Sequence, residues 1–493
     1  MGKVDQSRID NQPSDYLTGE EAAALLDVKR ETLYAYVSRG LLRGTPSGRG
    51  RARLYLRDDV ERLKVRSDAR SGHGPVAAAA LRWGEPVLES ALTGIGANGP
   101  LYRGHEAVGL ARAGVSFEAV AELLWTGATD ALGAAGAAGA TGVKGAAGAA
   151  DAADAADAAD SAGVVEASEM LEATGGSEDS GAKAQPLTWD APPRPPVQRI
   201  AALLHEGAHP FTTLAVAIAA LGAGGAASRA LAVGGEASGE ELSHARAIVG
   251  ALGALVGLGR GVEAVEAALS ERSLARRVLR AFGGPLAEKA AAAIDQALVV
   301  SADHELNVST FAVRVAASGG ADLWACVTAG VAALSGARHG GCCDLVEALI
   351  DEAGCPERAA QVIEGRRARG QDVPGFGHPF YRAGDPRAVV LVETALSLET
   401  AGVARECRSS RLGTLLALVE ATRAEGLEPP SLDVGLAAVS AALELPRGAA
   451  AGLFAMGRTA GWIAHAFEQR AAGFMLRPRA RYTGPSEAPE EHP

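Results

Sequence analysis

EELSHARAIVGALGALVGL, residues 240–258, is made only of Ile, Val, Gly, Ala and Leu from Ile248 onward. Ala and Leu lead the helix propensity scale, and the β-branched runs that mark strands are scarce. The apolar run from Ile248 to Leu258 falls short of the ~20 residues a bilayer span requires, so it reads as a buried core helix. The same pattern continues on both sides, over 201–224, 262–269 and 286–299. In the whole chain of 493 residues, hydrophobic residues make up 48% and aromatics only 4%, so the core must be built from Ala, Leu and Val in close-packed helices. The fold expected is all-α, with room for two to four domains.

The formal net charge of −12 argues against indiscriminate binding to nucleic acid. There are five cysteines (Cys326, Cys342, Cys343, Cys355 and Cys407), with no CxxC pair. Adjacent cysteines rarely bridge within regular structure, so reduced thiols and a cytoplasmic location are the expectation. The opening residues MGKVDQSRIDNQ contain no apolar segment of secretory type.

Tyr16 to Leu63 reads as a compact unit. Thr18 and Glu21 have capping-box spacing ahead of Ala22 to Leu26. A turn at Asp27-Val28-Lys29 leads to a second amphipathic helix, Arg30 to Arg39, with Leu33 and Val37 inward and Gly40 at its end. The loop TPSGRGRAR and then LYLRDDVERL, a short strand running into a helix, complete it. This layout resembles the winged helix-turn-helix of MerR-type and excisionase-type proteins. Between Lys29 and Arg57 lie eight basic residues against one acidic. Lys29, Arg30, Arg39, Arg49 and Arg51 are therefore candidates for contact with DNA phosphates.

GPLYRGHEAVGLARAGVSFEAVAELLWTG (99–127) reads as a mixed helical pattern. From about Ala128 to Gln198 comes a low-complexity tract, including DAADAADAAD, whose three-residue period fits neither helix nor strand and offers no large side chains to bury. No chemistry is expected there.

Five segments follow that do carry chemistry: DHELNVSTFAVRVAASGGADLWA from Asp303, LSGARHGGCCD from Leu334, VPGFGHPFYRAGDPRA from Val373, SLDVGLAAV from Ser431, and GRTAGWIAHAFEQ from Gly457 leading to LRPRARYTGP. In order, spacing and wording, together with YRGH and SFEAVAELLWTG, they resemble citrate synthases over roughly 81–127 and 198–485. Forming a carbon nucleophile from a thioester methyl group needs a positioned base and a hydrogen-bond donor where enolate charge develops. The resemblance implies that Asp433 is the base, that His339 polarises the thioester carbonyl, and that His378 polarises the ketone of oxaloacetate. It makes Arg387 and Arg458 ligands of the two carboxylates, a role suited to the bidentate guanidinium. His304 becomes a further substrate contact, with Asn307 orienting its surroundings. Arg477, in competition with Arg479, matches an arginine that enters the neighbouring subunit's site, which implies a homodimer. The backbone of Val373, Gly375, Phe376 and Gly377 resembles the loop that holds the adenine of CoA, and Arg382 lies where a CoA phosphate contact falls.

The expected domains are a helix-turn-helix module with its tail (1–70), a large helical domain in three parts (71–127, 199–343 and 445–485) separated by the insertion (128–198) and a small domain (344–444), and a tail (486–493). Substrates are expected in the cleft between large and small domains. Acetyl-CoA is implied as co-substrate, with no permanently bound cofactor and no metal. Departures from the common wording include CCD after RHGG, where alanine-asparagine is usual, SLDV for asparagine-valine-aspartate, and His105 in place of a tyrosine. Trp324 and Trp462, in apolar helical settings, read as core. Two other functions stay open: 2-methylcitrate synthesis from propionyl-CoA, and a DNA-binding metabolite sensor that uses the same domain without the base.

Overall fold

A computed structural model describes residues 88–132, 187, 189–224, 237–400, 411–478 and Gly484, and of the N-terminal region residues 16–26, 28, 32–33, 36–37, 42, 44–46, 53–56 and 60. The chain divides into two compact units, Met1–Glu89 with Arg477–Pro493, and Ser90–Leu476.

In the first unit, strands β1 (Tyr16–Thr18), β2 (Gly44–Pro46) and β3 (Arg53–Leu56) form an antiparallel sheet of order β1-β3-β2, and α1 spans Gly19–Leu26. The capping box forms: the Thr18 backbone N–H donates to Glu21 Oε2 at 2.8 Å, and the Glu21 N–H to Thr18 Oγ1 at 3.3 Å. Leu17, Leu26, Leu33, Leu42, Tyr55 and Val60 make its core, with Val37 partly buried against them. β1 and β2 were not anticipated, and the expected loop beginning at Thr45 starts inside β2. The candidate DNA contacts Lys29, Arg30, Arg39, Arg49 and Arg51 lie outside the described residues, as does most of the low-complexity insertion.

The second unit opens with a correction. Residues 93–106 fold as a three-stranded antiparallel sheet of β4 (Thr93–Gly96), β5 (Gly99–Tyr102) and β6 (His105–Glu106), not as helix. The turn between β5 and β6 is Arg103-Gly104, both at positive φ (46° and 89°), the conformation that two-residue hairpins require.

Helices follow: α2 (Ala107–Arg112), α3 (Phe117–Thr126), α4 (Val197–Ala201), α5 (Pro210–Gly224), α6 (Gly239–Leu255), α7 (Val262–Leu269), α8 (Leu274–Phe282), α9 (Glu288–Ser301), α10 (Val308–Ser318), α11 (Leu323–Leu334), α12 (Cys342–Ala353), α13 (Ala359–Ala368), α14 (Pro386–Thr400), α15 (Arg411–Ala424), α16 (Leu432–Ala442) and α17 (Ala449–Ala472). The helix expected over 201–224 starts only at Pro210, as α5; residues 202–209 connect it to the end of α4, and proline is suited to a first helical turn. By length and composition Gly239–Arg260 is apolar enough to cross a membrane, longer than the run marked in the sequence, and 67% of that window is buried inside the protein.

α17 is buried on nearly every face from Ala449 to Gln469, as an all-round apolar helix must be. It packs against α3, α9, α10, α11 and α16. Two of its glycines permit the closest approaches. A Cβ at Gly457 would lie 2.7 Å from the Leu298 carbonyl oxygen, and one at Gly461 would lie 2.4 Å from that of Ala302. The Gly461 N–H donates to the same Ala302 oxygen at 3.0 Å, locking the end of α9 onto α17 just before His304.

Candidate active site

His304 follows α9 and precedes α10, and the residue after it, Glu305, sits at φ 54°, a left-handed conformation rare outside glycine. Such strain persists where the surroundings over-determine it. Here they do. Tyr102 Oη donates to the carbonyls of Val299 (2.9 Å) and Asp303 (3.2 Å), and the buried Asp303 carboxylate lies 3.1 Å from His465 Nε2. Asn307 caps α10, its Oδ1 accepting the Ser309 and Thr310 N–H groups at 3.1 Å each, while its Nδ2 donates to the His304 carbonyl at 3.3 Å. Asn307 therefore ties the His304 segment to the first turn of α10.

The same asparagine reaches a second histidine: its Oδ1 is 3.2 Å from His339 Nε2. The Ser309 hydroxyl, receiving a hydrogen bond from Trp462 Nε1 (3.1 Å), lies 2.7 Å from Asn307 Oδ1 and 2.9 Å from His339 Nε2. The Ser309 hydroxyl donates to Asn307 Oδ1, and His339 Nε2 lies within hydrogen-bond reach of both groups. Burial first, and then the Arg458 charge, lower the His339 pKa to about 3, so the ring is neutral at working pH.

His378 lies on the loop before α14. Its Nδ1 accepts from the Phe380 N–H at 3.2 Å, which leaves the ring proton on Nε2. Burial and the Arg387 charge lower its pKa to about 4. Its ring centroid is 5.2 Å from that of His304 and 4.9 Å from that of Tyr381, and Tyr381 Oη is 2.9 Å from His304 Nε2. Burial and the cations Arg387 and Arg458 also hold His304 well below its ordinary value. Three neutral imidazoles thus offer N–H donors without carrying charge.

The two arginines are the buried cations of this region. Arg387, 3% exposed on α14, meets Asp385 through two parallel hydrogen bonds (Nε to Oδ1 at 2.9 Å, Nη2 to Oδ2 at 2.7 Å). Burial opposes its charge, but Asp385 outweighs that and holds the pKa above its ordinary value. Arg458, 1% exposed on α17, donates from Nε to the Ser301 carbonyl at 2.8 Å and lies 5.1 Å over the Phe454 ring. Burial lowers its pKa to about 10, so it remains charged.

Asp385 Oδ2 also accepts the Leu432 N–H at 3.1 Å, tying the Arg387 clamp to the first turn of α16 and so to Asp433. Asp433 is not the helix N-cap; Ser431 holds that position. The Asp433 carboxylate accepts instead from Cys343 Sγ (3.2 Å, to Oδ1) and from Ser431 Oγ (2.9 Å, to Oδ2), and burial raises its pKa. Cys343 is the second residue of α12, four residues after His339. Val373 to Gly377 runs beside the segment before α16: the Gly377 N–H donates to Pro429 O and the Ser431 N–H to Gly375 O, each at 2.8 Å. Gly375 needs to be glycine, since at φ 84° an added Cβ would lie 2.4 Å from Val346 Cγ2.

A closed circuit results. His304 touches Tyr381 and His378, Tyr381 stacks under Arg387 at 5.5 Å, Arg387 meets Asp385, Asp385 the start of the Asp433 helix, and Asp433 meets Cys343, from which the chain leads back four residues to His339; Asn307 returns from His339 to His304. His339, His378, His304, Asn307, Arg387, Arg458 and Asp433 all belong to it or adjoin it, with Val373, Phe376 and their glycines against its Asp433 side. Arg382 is exposed on the loop before α14, and Arg477 is exposed and falls in the other compact unit. Sequence reasoning missed Tyr381, Asp385, Ser309, Ser431 and the Cys343 contact. Trp324, read as core, is half-buried, whereas Trp462 is fully buried. Among the described residues, no group of three or more His, Cys, Asp or Glu side chains is placed to hold a metal ion.

Comparisons with known proteins identify the family and the fold. Residues 172–479 match the family model described as citrate synthase, C-terminal domain, and residues 16–64 match a helix-turn-helix domain. Citrate synthase 2 of Bacillus subtilis is 32% identical over 285 residues, covering 57% of this chain and 74% of that protein. The 2-methylcitrate synthase of Mycobacterium tuberculosis is 32% identical over 192 residues, covering 39% of this chain and 48%, about half, of its own length. Among solved structures, the ternary complex of Thermoplasma acidophilum citrate synthase with carboxymethyl coenzyme A and oxaloacetate aligns with TM-score 0.59 at 20% identity, over 82% of this chain and 95% of that one; at that identity the likeness speaks for the fold.

Proposed function

This chain belongs to the citrate synthase family, and from that premise we propose that it condenses acetyl-CoA with oxaloacetate and water to give citrate and CoA. The supporting observation is the circuit that joins Asp433, three neutral imidazoles and the Arg387–Asp385 pair, with the buried guanidinium of Arg458 adjoining it. Arg387 and Arg458 bind the two carboxylates of oxaloacetate, with His304 as a further donor. His378 Nε2–H polarises the ketone. The Asp433 carboxylate takes a methyl proton from acetyl-CoA while His339 donates to the thioester oxygen; the methyl carbon then bonds to the ketone carbon, whose oxygen takes the His378 Nε2 proton to become a hydroxyl, and the proton taken up by Asp433 is returned to His378 through solvent. Water cleaves the citryl thioester and releases CoA.

The loop from Val373 to Gly377 holds the adenine of CoA, and Arg382 meets a phosphate. Oxaloacetate binds first, because the buried cations need its two negative charges before the acyl half is shielded from water. Equal acetyl-CoA affinity with and without oxaloacetate would contradict that order. A homodimer, with Arg477 completing the partner's site, is part of this reading; Val308 and Val315, two turns apart and exposed on α10, support such an interface. So is a cytoplasmic location, supported by the free thiols of Cys326, Cys342, Cys343 and Cys355.

Release of CoA thiol on mixing the protein with acetyl-CoA and oxaloacetate tests the proposal. The M. tuberculosis relative supports a second reading with propionyl-CoA. One methylene in a pocket is worth only ~1–3 kcal/mol, so steady-state rates with both thioesters separate the two. The helix-turn-helix match supports added DNA contact by the basic N-terminal region. Gel shift at low and moderate salt checks this, and absence of binding at both removes it. DNA binding without any thiol release would instead favour a metabolite sensor.

A further inference from the structure

The base has a neighbour that the reaction itself does not call for. Cys343 is fully buried in the first turn of α12, and its Sγ–H donates to Asp433 Oδ1 at 3.2 Å. On the other side of the carboxylate, Ser431 Oγ donates to Oδ2 at 2.9 Å. We propose that Cys343 is a positioning residue: with Ser431 it fixes the plane of the Asp433 carboxylate for attack on the acyl methyl group. This rests on the reading of Asp433 as the base.

Both the connectivity and the choice of element support the role. The stretch from His339 to Cys343 carries the thioester-polarising imidazole at one end and the thiol at the other. Gly340 and Gly341 between them pack against Leu334 and the Ser335 carbonyl, where a Cβ would lie 2.6 Å away in each case. The spacing of base and polarising group is therefore set by five consecutive residues. The neighbouring Cys342 interacts with the backbone of Gly375, in the loop assigned to CoA.

A thiol is a weak donor. Strong donors to a carboxylate favour its charged form and make it a poorer base, so an amide or hydroxyl at this place would position Asp433 at the expense of basicity. A thiol orients it while leaving it basic. Burial, and next the Asp433 charge, raise the Cys343 pKa well above its ordinary value. The group stays an S–H donor through the working pH range and is unsuited to act as nucleophile. No proton leaves the thiol during turnover: the methyl C–H bond breaks and its proton goes to Asp433.

The test uses the full-length protein and the pH dependence of CoA release in wild type, Cys343→Ala, Cys343→Ser and Asp433→Asn. Cys343→Ala is expected to lower kcat about tenfold by loosening the base, to leave KM for oxaloacetate within twofold, and to move the acid limb of the profile to higher pH. Cys343→Ser, a stronger donor, recovers only part of kcat and moves the limb below that of wild type. An acid limb in Cys343→Ala coincident with wild type overturns the inference, whatever kcat does. Should the alanine variant not fold, the S–H stretching band of wild type decides: it must shift when Asp433 is titrated and differ in Asp433→Asn, and an indifferent band overturns the inference. If wild type releases no CoA, or Asp433→Asn turns over like wild type, the base assignment itself has failed and Cys343 has nothing to position.

Discussion

The two ends of the circuit are held by different kinds of contact. At the proposed oxaloacetate end, Arg387 is gripped by a fully buried carboxylate through two short hydrogen bonds, and Arg458, on the buried helix α17, donates to a main-chain carbonyl. At the proposed acyl end, Asp433 is touched by a thiol and a hydroxyl, and His339 by a serine and an asparagine. In the proposed reaction the first set would bind charge that is present throughout turnover, and the second would change its charge or share a proton during it. Permanent charge can be clamped by permanent charge, whereas a group that cycles between forms is better steered by neutral donors that do not commit it to one.

That contrast can be broken most sharply at Asp433. Asp433→Asn should lower kcat about 10³-fold, the range a general base supplies, with oxaloacetate affinity within twofold by calorimetry; a large affinity loss would merge the two ends. Arg387→Met should do the reverse in kind. It leaves Asp385 buried without its partner, so denaturant unfolding should show a loss of about 3–5 kcal/mol, together with loss of measurable oxaloacetate binding. Ser309→Ala removes the hydroxyl that links Trp462, Asn307 and His339 and should lower kcat about tenfold, with stability changed by about 1 kcal/mol; unchanged kcat would leave the Ser309 contact to His339 without a role in turnover.

The smallest effect concerns pH. His339 and His378 titrate in the folded protein at about 3 and about 4, below the unfolded value of about 6.5. Between those values the unfolded chain binds more protons, so stability is full above the unfolded pKa and falls as pH is lowered from there. The thermal midpoint should decline over that window, and His378→Gln should make the decline shallower. A decline with the same slope would place its origin elsewhere.

Much of this was legible from short words in the sequence. His339 in RHGG, His378 in GFGHP, Arg387 in DPR and Arg458 in GRTAG each sit beside glycines or prolines that restrict the backbone, so residue type and local geometry can be read together. Asp385 was equally visible in DPR, yet its role depends on the start of α16, 47 residues away, abutting it. Ser309 and Cys343 likewise act across helix packings that no local pattern encodes. The helical core was legible because Ala and Leu repeat over long windows. The sheet over 93–106 was not, because strands of four, four and two residues give too few alternations to stand out beside the glycines.

The crossing at Gly461 bears on how this protein can change. Its α-carbon faces the Ala302 carbonyl, two residues before His304, and the space there is already filled by that backbone and the Asp303 carboxylate. A single methyl at that point would act as a wedge between two main chains, and the backbone leading to the histidine would have to yield. Tolerance to substitution in this fold should therefore follow the spacing of its main chains more closely than distance from the reacting atoms.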